Sequence, residues 1–380
     1  MANSSADTLD DLYDQLDERK QEEDLKKPSS SLLLDVDAND IKEREPEYHD
    51  PEKHWVRRDG WLKIVKKILA SKQRITKNAQ AKLKYLTLPG YYRLDISMFM
   101  GEDLIEVLSY SGDGTPREIN VVGFETDPTK YGRMKVQTPR LKLLGASSIE
   151  AALVDPENEY FHELKDQFPF DVINMDLTTS LTPRHEGPYS KTMKAIDTIF
   201  SLQSGYGSEW AFFLTFRNVP SDWEETALTQ LSANMQSNLD TKPTVFEQFY
   251  KTYNKSSVEE LWAANQQLSI SQTLVKWLVD RAHAFGFRSD LKKVYRYTRY
   301  KKGIEPYDIY KHLLVFSIGQ SSEGKIPTKG VNEQAWMTED LVKSVLRHKP
   351  IDVEEKLLQL QKKKDILGLL EQEVKKLVAS

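Results

Sequence analysis

Two short apolar runs in this chain each end in an acidic residue, and together they could form a ligand site. The first, INVVGFETD, covers Ile119–Asp127, and the second, FDVINMDLTT, covers Phe170–Thr179. Near-continuous Val and Ile content is typical of strands buried on both faces of a parallel sheet. Acids at the carboxyl ends of such strands lie where open α/β sheets bind their ligands. The pattern therefore predicts a crevice for a nucleotide-type ligand at Glu125 and Asp176.

Arginines near the ends of other apolar runs extend this candidate site. Arg217 follows the run WAFFLTF and points to the same edge of the sheet, where it could hold a phosphate or form a surface salt bridge. Farther along, RSDLKKVYRYTRYKK places Arg296 and Arg299 among tyrosines, a mixture that nucleic-acid surfaces use. A half-buried terminal strand with Tyr inward and Lys outward would have the same sequence, so both interpretations stay open.

Several functional classes are excluded by residues and motifs that the chain lacks. Without cysteine there are no disulfides, thiol catalysis or thiolate metal sites, and the 7 histidines show no HxxxH or HxH spacing, so we expect no metal. Neither a GxSxG motif nor a GxxxxGK phosphate loop occurs. No window approaches the roughly 18 apolar residues of a membrane span. The acidic N-terminus is unlike a secretory signal, so we expect a cytoplasmic protein without membrane contact.

Charge is distributed unevenly along the chain. Residues 1–50 hold 16 acidic and 6 basic residues, whereas residues 51–90 hold 2 acidic and 11 basic ones. An acidic arm directly before a basic segment could mask, or be displaced from, an anion-binding face. The alternative is a solubilising tail beside an ordinary amphipathic helix. Apolar residues at helical spacing within 7–27 could also dock the arm on a protein partner.

The order of strand and helix patterns predicts the fold that positions these residues. The alternation predicts an α/β fold, a mostly parallel doubly wound sheet with helices on both faces. Its strands are expected at 92–97, 119–127, 143–147, 170–177 and 210–216, and a terminal antiparallel pair at 291–300 and 310–318. Helices are expected at 61–69, 76–85, 101–108, 158–167, 190–202, 269–285 and 353–378.

These patterns divide the chain into four parts. They are an acidic, partly disordered arm at 1–50, a basic helical segment at 51–91, an α/β domain at 92–320 with a helical insertion at about 222–268, and a linker with C-terminal helices at 321–380. In the basic segment, the helical spacing turns Trp61, Ile64, Val65 and Ile68 inward and Lys63, Lys66 and Lys67 toward water or a polyanion. The C-terminal helix could pack on its own domain or on a protein partner.

A parallel sheet that ends with a helix, Gly-Phe and a returning antiparallel strand pair resembles the class I S-adenosylmethionine-dependent methyltransferases. The resemblance covers roughly residues 92–320. It implies that Glu125 binds the cofactor ribose, since a carboxylate can accept two hydrogen bonds from a vicinal diol. It also implies that Asp176 orients the amine to be methylated, and that Asp95 and Ser147 lie near the methionine and adenine ends of S-adenosylmethionine.

The sequence departs from this family at two motifs. FDVINMDLTTSLTP is similar to the Asp-Pro-aromatic-Gly-Ser motif of tRNA guanine-N2 methyltransferases, but Leu177 replaces the proline and Thr178 the aromatic residue. A stacking platform for a flipped base is therefore missing there. The family's first strand leads into a glycine-rich turn, whereas LDISMFMGEDL has only Gly101 and bulky side chains at 98–100. Either the cofactor binds in an altered way or the pocket is degenerate.

Each candidate acid also has a purely structural alternative. Glu125 could cap the helix that follows, as strand-end acids often do. Asp176 begins a stretch, DLTTS, that resembles a turn with hydroxyl caps. Asp95 could pair with Arg93 or cap locally.

Two functions follow from these patterns. The first is an S-adenosylmethionine-dependent methyltransferase acting on nucleic acid, in which placing donor and acceptor in line supplies most of the rate. The alternative is a catalytically inactive methyltransferase-fold subunit that serves as a nucleic-acid or protein-binding scaffold, by fold-level analogy with components of bacterial defence loci. A Rossmann-type oxidoreductase is disfavoured because no GxGxxG follows a strand.

Overall fold

The computed structural model describes residues 51–90, 92–137, 139–184, 186–299, 309–320, 342, 345–361 and 366–379. The expectations for the acidic arm at 1–50, for Tyr300 and for most of the linker after 320 fall outside these residues.

The described residues form helices and strands that alternate along much of the chain. The helices are α1 (Pro51–Val56), α2 (Lys63–Thr76), α3 (Leu94–Gly101), α4 (Pro128–Lys135), α5 (Ile149–Val154), α6 (Phe161–Lys165), α7 (Lys191–Gln203), α8 (Glu225–Thr241), α9 (Pro243–Tyr253), α10 (Val258–Ala264), α11 (Gln266–Ala284), α12 (Val353–Gln361) and α13 (Ile366–Ala379). The strands are β1 (Tyr85–Thr87), β2 (Val107–Tyr110), β3 (Pro116–Glu125), β4 (Arg140–Ala146), β5 (Val172–Asp176), β6 (Trp210–Arg217), β7 (Phe287–Arg299), β8 (Ile309–Gln320) and β9 (Ile351–Asp352). A π-helical turn, Arg57–Leu62, joins α1 to α2, and a 3-10 turn, Pro220–Asp222, follows β6.

These strands form one sheet in the order β4-β3-β1-β5-β6-β8-β7-β9, with β2 paired to the start of β3. Strands β4, β3, β1, β5 and β6 are parallel, whereas β8 is antiparallel to both of its neighbours, β6 and β7. From β1 the chain winds first to β3 and β4 on one side and then to β5 and β6 on the other. This reversal is the switch point at which doubly wound sheets bind ligands. The predicted α/β fold, with its terminal antiparallel pair, is confirmed.

Helices cover both faces of the sheet. On one face, α5 and α7 to α11 pack on alternate side chains of the central strands, including Phe212, Leu214 and Phe216 of β6. On the other face, α1 to α3, α12 and α13 pack on the intervening side chains, including Phe213. A β-strand sends successive side chains to opposite faces, and helices cover both faces here, so β6 is buried throughout its length except at its last residue.

The helices of the basic segment belong to the second of these layers. The Trp61 ring stacks on Phe213 with a centroid distance of 5.5 Å, and Trp55 meets Tyr295 edge-on at 5.8 Å. The inward stripe predicted for this helix is buried, and Lys66 and Lys67 are exposed as expected. Each aromatic pair of this kind contributes about 0.5–1.5 kcal/mol beyond the free energy of burying its apolar area. These contacts therefore help to hold the helices on the sheet.

The first parallel strand lies earlier in the chain than the sequence predicts. The predicted helix 76–85 is instead the end of α2, a turn begun by Lys77 in the left-handed conformation (φ 53°), and the start of β1. The predicted strand 92–97 is largely α3, and the predicted helix 101–108 leads into β2. In a short apolar run, periodicity does not distinguish a buried helix from a buried strand. This ambiguity explains why the helix and strand assignments are interchanged between residues 76 and 108.

The C-terminal helix predicted at 353–378 is two helices, α12 and α13. Within the part of the chain that the structure describes, no helix has the length and apolar character needed to cross a membrane.

Candidate functional site

The register of the sheet brings Glu125 and Asp176 to the same edge. Thr87, the last residue of β1, pairs with Gly123 on one side and with Asn174 on the other. Glu125 and Asp176 each follow two residues later, so the two acids flank the end of β1. Two strand spacings separate β3 from β5, which is about 10 Å. The acids therefore lie on either side of the switch point.

Asp176 is bound by a residue of the N-terminal helix. Lys53 Nζ, from α1, donates a hydrogen bond to Asp176 Oδ2, and the two side chains are only 10% and 13% exposed. A charge pair this far from solvent is strongly held in place, since separating it leaves an uncompensated charge. The carboxylate is therefore already occupied by an internal ammonium group.

Asp95 is buried in a hydrogen-bonded network beneath the end of β1. It lies in the first turn of α3 and not at a strand end, because the first strand is at 85–87. Its Oδ2 accepts hydrogen bonds from Tyr85 Oη at 2.6 Å and from Thr87 Oγ1 at 3.0 Å. Asn174 Nδ2 donates to Tyr85 Oη at 3.2 Å. Burial, and then the Asp95 carboxylate, raise the pKa of Tyr85 well above its usual value, so the phenol remains a donor.

The loop after β1 carries bulky side chains in place of a glycine-rich turn. It contains a single glycine, Gly90, and ends at Arg93, which adopts the left-handed conformation (φ 48°). Arg93 is buried and donates to the carbonyl of Pro139 at 2.9 Å, and burial lowers the pKa of its guanidinium to about 10. Tyr92 packs against Val374 of α13. The C-terminal helix therefore holds this loop in place.

Side chains fill most of the cleft that the strand ends form at the switch point. Arg57 and Trp61, from the π-helical turn, enclose it together with the loop after β1, Asp95 and Asp176. The remaining cavity is about 10 Å³, which is room for a single water molecule. Sites for cofactor-sized ligands measure about 300 Å³ or more. The space left at the switch point is therefore far smaller than a cofactor-sized ligand needs.

Glu125 and Ser147 make local hydrogen bonds at the neighbouring strand ends. Glu125 Oε1 accepts from the backbone N–H of Asp127 at 2.8 Å, while Asp127 itself caps α4. Ser147 Oγ accepts from Asn158 Nδ2 at 3.1 Å, and the next residue, Ser148, caps α5. The residue that caps the following helix is therefore Asp127 and not Glu125.

The arginines predicted for the site share this edge, farther from the switch point. Arg217 Nε forms an ion pair with Asp222 Oδ2 at 2.8 Å, and Arg296 is hydrogen-bonded to Asp352. Arg299 pairs with Ile309 in the backbone register, at the end of the same strand as Arg296. The structure brings these three residues to the same edge of the sheet as Glu125 and Asp176, on strands that lie farther from β1.

The tyrosines that alternate with these arginines face inward. Tyr295 and Tyr297 are 0% and 2% exposed, and Tyr295 Oη donates to Asp59 at 2.7 Å. Their rings therefore form part of the core and present no stacking surface. For these two tyrosines the strand-packing interpretation is correct.

Most cations of the basic segment bind acids of the same fold. The pairs are Lys53 with Asp176, Arg58 with Glu373, Lys63 with Asp59, Lys66 with Glu102, Lys72 with Asp171 and Lys82 with Asp103. The acids lie far away in the sequence in most of these pairs. The positive charge of the segment is therefore largely balanced within the molecule.

Sequence reasoning missed the residues that close the cleft. Lys53, Arg57 and Trp61 were assigned to a basic helical segment, 51–91, separate from the α/β domain, and Lys53 lies 123 residues from its partner Asp176. The buried network partners Tyr85 and Asn174 were missed as well. Asn174 stands in the middle of the apolar run VINMD, and a polar residue inside a buried strand was the one signal available.

Comparisons with known proteins place the chain in a family. No curated protein and no solved structure matches it. Among the described residues, no group of three or more His, Asp or Glu side chains could hold a metal ion. A family model matches residues 45–128 and 144–359. These residues include helices α1 and α2 and the central strands β1, β3, β5 and β6. The chain belongs to the PP_RS20740-like family.

Proposed function

We propose that this protein is a non-catalytic, methyltransferase-like scaffold that binds nucleic acid in the cytoplasm. The observation that carries the proposal is the closed cleft at the switch point, where about 10 Å³ remains beside Asp95 and Asp176. The sheet has an acid on each side of β1, and the resemblance to methyltransferases is the reason to relate these positions to that class. Side chains of the chain itself take up the space at the switch point, which argues against binding of S-adenosylmethionine there.

The energy needed to open the cleft supports a loss of cofactor binding. Trp61 is 1% exposed, and losing the packing of one buried tryptophan costs about 3–5 kcal/mol. A ligand that must first displace it loses that free energy from its binding. A cofactor whose Kd for an open cleft is about 1 μM would then have a Kd of about 1 mM or higher for the closed one.

Accessible guanidinium groups at the carboxyl edge support the nucleic-acid part of the proposal. The side chains of Arg217 and Arg296 are 33% and 35% exposed, although each is bound to an aspartate. A guanidinium has five N–H donors in a fork, so it can contact a phosphate while keeping an acidic partner.

A methylation assay combined with a binding assay tests this proposal. Incubating the full chain with single-stranded DNA or RNA and isotope-labelled S-adenosylmethionine should transfer no methyl group. The same oligonucleotides should be retained on the protein at low salt and released as salt is raised. Transfer of label to the nucleic acid would overturn the non-catalytic assignment, and failure to retain any oligonucleotide would overturn the scaffold.

One observation favours the active enzyme as a second candidate. Glu125 and Asp176 flank β1 at the positions that the methyltransferase resemblance gives to ribose binding and to amine orientation. In that case S-adenosylmethionine would enter after α1 and the π-helical turn leave the cleft. A Lys53→Ala, Trp61→Ala double variant that gained methyl transfer would support this candidate over the scaffold.

A further inference from the structure

A shallow groove, open to solvent, lies at the carboxyl edge beside the end of β6. It measures about 390 Å³ and lies between the 3-10 turn that follows β6 and the junction of α10 with α11. This volume is within the range of sites that hold small ligands, unlike the closed cleft. Trp262, Pro220 and two alanines provide its apolar surface, and Asn265, Gln266 and Gln267 provide its polar one.

The chemistry of this groove suits a flat, uncharged ring with hydrogen-bonding edges. Among the described residues that line it, none carries a charge. A side-chain carboxamide presents a donor and an acceptor next to each other, which is the pattern shown by the edges of nucleobases. An indole offers a face on which any base can stack.

Hydrogen bonds fix the polar side of the groove before any ligand binds. Asn265 Oδ1 caps α11 by accepting from the N–H of Leu268 at 2.9 Å. Asn218, which is fully buried directly after β6, donates from Nδ2 to the carbonyl of Gln267 at 2.9 Å. Trp262 packs against the core on one side while lining the groove on another. A preformed site of this kind loses little conformational entropy on binding.

A cation for a phosphate stands next to the groove. Arg217 pairs with Asp222, the last residue of the same 3-10 turn whose first residue, Pro220, lines the groove. Arg217 and Pro220 are three positions apart in the chain, so their backbones are within about 10 Å. A base held in the groove would therefore have its sugar and phosphate near a partly exposed guanidinium.

We infer that this groove binds one unpaired nucleobase of single-stranded nucleic acid, stacked on Trp262, with a neighbouring phosphate close to Arg217. The inference rests on the nucleic-acid binding of the proposed function and assigns it to a defined site. A peptide side chain is the competing occupant, but the three carboxamides and the adjacent guanidinium match a nucleotide better than an apolar side chain.

Fluorescence anisotropy with the full-length chain tests the assignment. The probe is a fluorescein-labelled oligothymidine of about twelve nucleotides, which is a typical site length for such proteins. Loss of base stacking should make Trp262→Ala bind about five- to hundredfold more weakly, and Trp262→Phe should retain most of the affinity. Tyr110→Ala is the matched control, since Tyr110 is 61% exposed at the opposite edge of the sheet.

A second substitution keeps the test independent of the packing of Trp262. Ala263 is exposed in the groove, so Ala263→Glu should fold normally and weaken the probe at least about fivefold by repelling its phosphates. Ala284→Glu, at the far end of α11, carries the same charge change as a control. Unchanged affinity in both groove variants would overturn the base site while leaving the scaffold proposal intact. A wild-type chain that binds no oligonucleotide would overturn both.

Discussion

Lys53, in the first described helix, donates a hydrogen bond to Asp176 at the carboxyl end of β5, and 123 residues of sequence separate the two. The contact joins the N-terminal helical segment to the switch point of the sheet. It also puts an ammonium group at the carboxylate that the methyltransferase resemblance assigns to an acceptor amine. The helix therefore lies against the carboxyl end of β5, and Arg57 and Trp61 of the π-helical turn line the rest of the cleft.

Removing Lys53 should destabilise the protein. Lys53→Met keeps the aliphatic stem but removes the ammonium group bound to the nearly buried Asp176 carboxylate, so we expect the free energy of unfolding to fall by about 2–4 kcal/mol. Adding Asp176→Asn to this variant should restore part of the loss, because the buried charge is then removed. Urea unfolding of both variants measures the coupling. A loss below about 0.5 kcal/mol in Lys53→Met would mean that the pair is not formed in solution.

The basic helical segment should behave as part of the core. Trp61→Ala removes a stacked ring from the surface of Phe213, and we expect the free energy of unfolding to fall by about 3–5 kcal/mol. Leu108→Ala is the control, since Leu108 is 57% exposed, and its effect should stay within about 0.5 kcal/mol. Equal stability of the two variants would show that residues 51–76 do not pack on the sheet.

Gly60 should resist substitution because of its closeness to Tyr295. A Cβ at this position would lie 2.8 Å from Tyr295 Cε2, and the ring is fixed by its hydrogen bond to Asp59. We expect Gly60→Ala to cost about 1–3 kcal/mol through overpacking. Gly132→Ala, in the exposed helix α4 with open space around it, should be neutral or stabilising by up to about 1 kcal/mol. Thermal melts that rank the two variants in the opposite order would contradict the packing of the π-helical turn.

Stability should decrease below pH 6.5 because of His54. Burial lowers the pKa of this histidine from its usual 6.5, with Arg57 and Arg58 acting in the same direction and Glu373 against them. Between the lowered folded pKa and 6.5, the unfolded chain binds a proton that the folded chain does not. The free energy of unfolding should therefore fall with decreasing pH, by at most about 1.4 kcal/mol per pH unit from this group.

The pH effect can be isolated by substitution. His54→Phe should flatten the decrease between pH 6.5 and 5, while His162→Gln, at an exposed position, should leave it unchanged. Urea midpoints measured across this range make the comparison. An identical pH profile for His54→Phe and wild type would rule out a neutral, buried His54.

The sequence predicted the parts of the fold whose residues carry a local signal. Strands β3, β5 and β6 each contain a mainly apolar run that ends in a polar residue, and their carboxyl ends meet at one edge as expected. Strand β1 was misplaced because it has only three residues, all buried, and the apolar stretch after it forms a helix. A strand this short is specified by its two neighbours in the sheet and not by its own pattern.

The closure of the cleft could not be read from the sequence, since it depends on pairs that are distant along the chain. A run of cations has the same composition whether its partners are phosphates in a ligand or acids of the same fold. Lys53 and Arg58 illustrate this, because their acidic partners come from β5 and α13. The polar residue inside β5, Asn174, was the only local hint that a buried network lies beneath the site.

Isothermal titration of the full-length wild-type chain with S-adenosylmethionine tests the closed cleft most directly. A cleft filled by Arg57 and Trp61 predicts no measurable heat at micromolar ligand concentrations. Micromolar binding that Glu125→Ala weakens by about tenfold or more would contradict it, because the cofactor would then reach the edge of β3 despite the N-terminal helices.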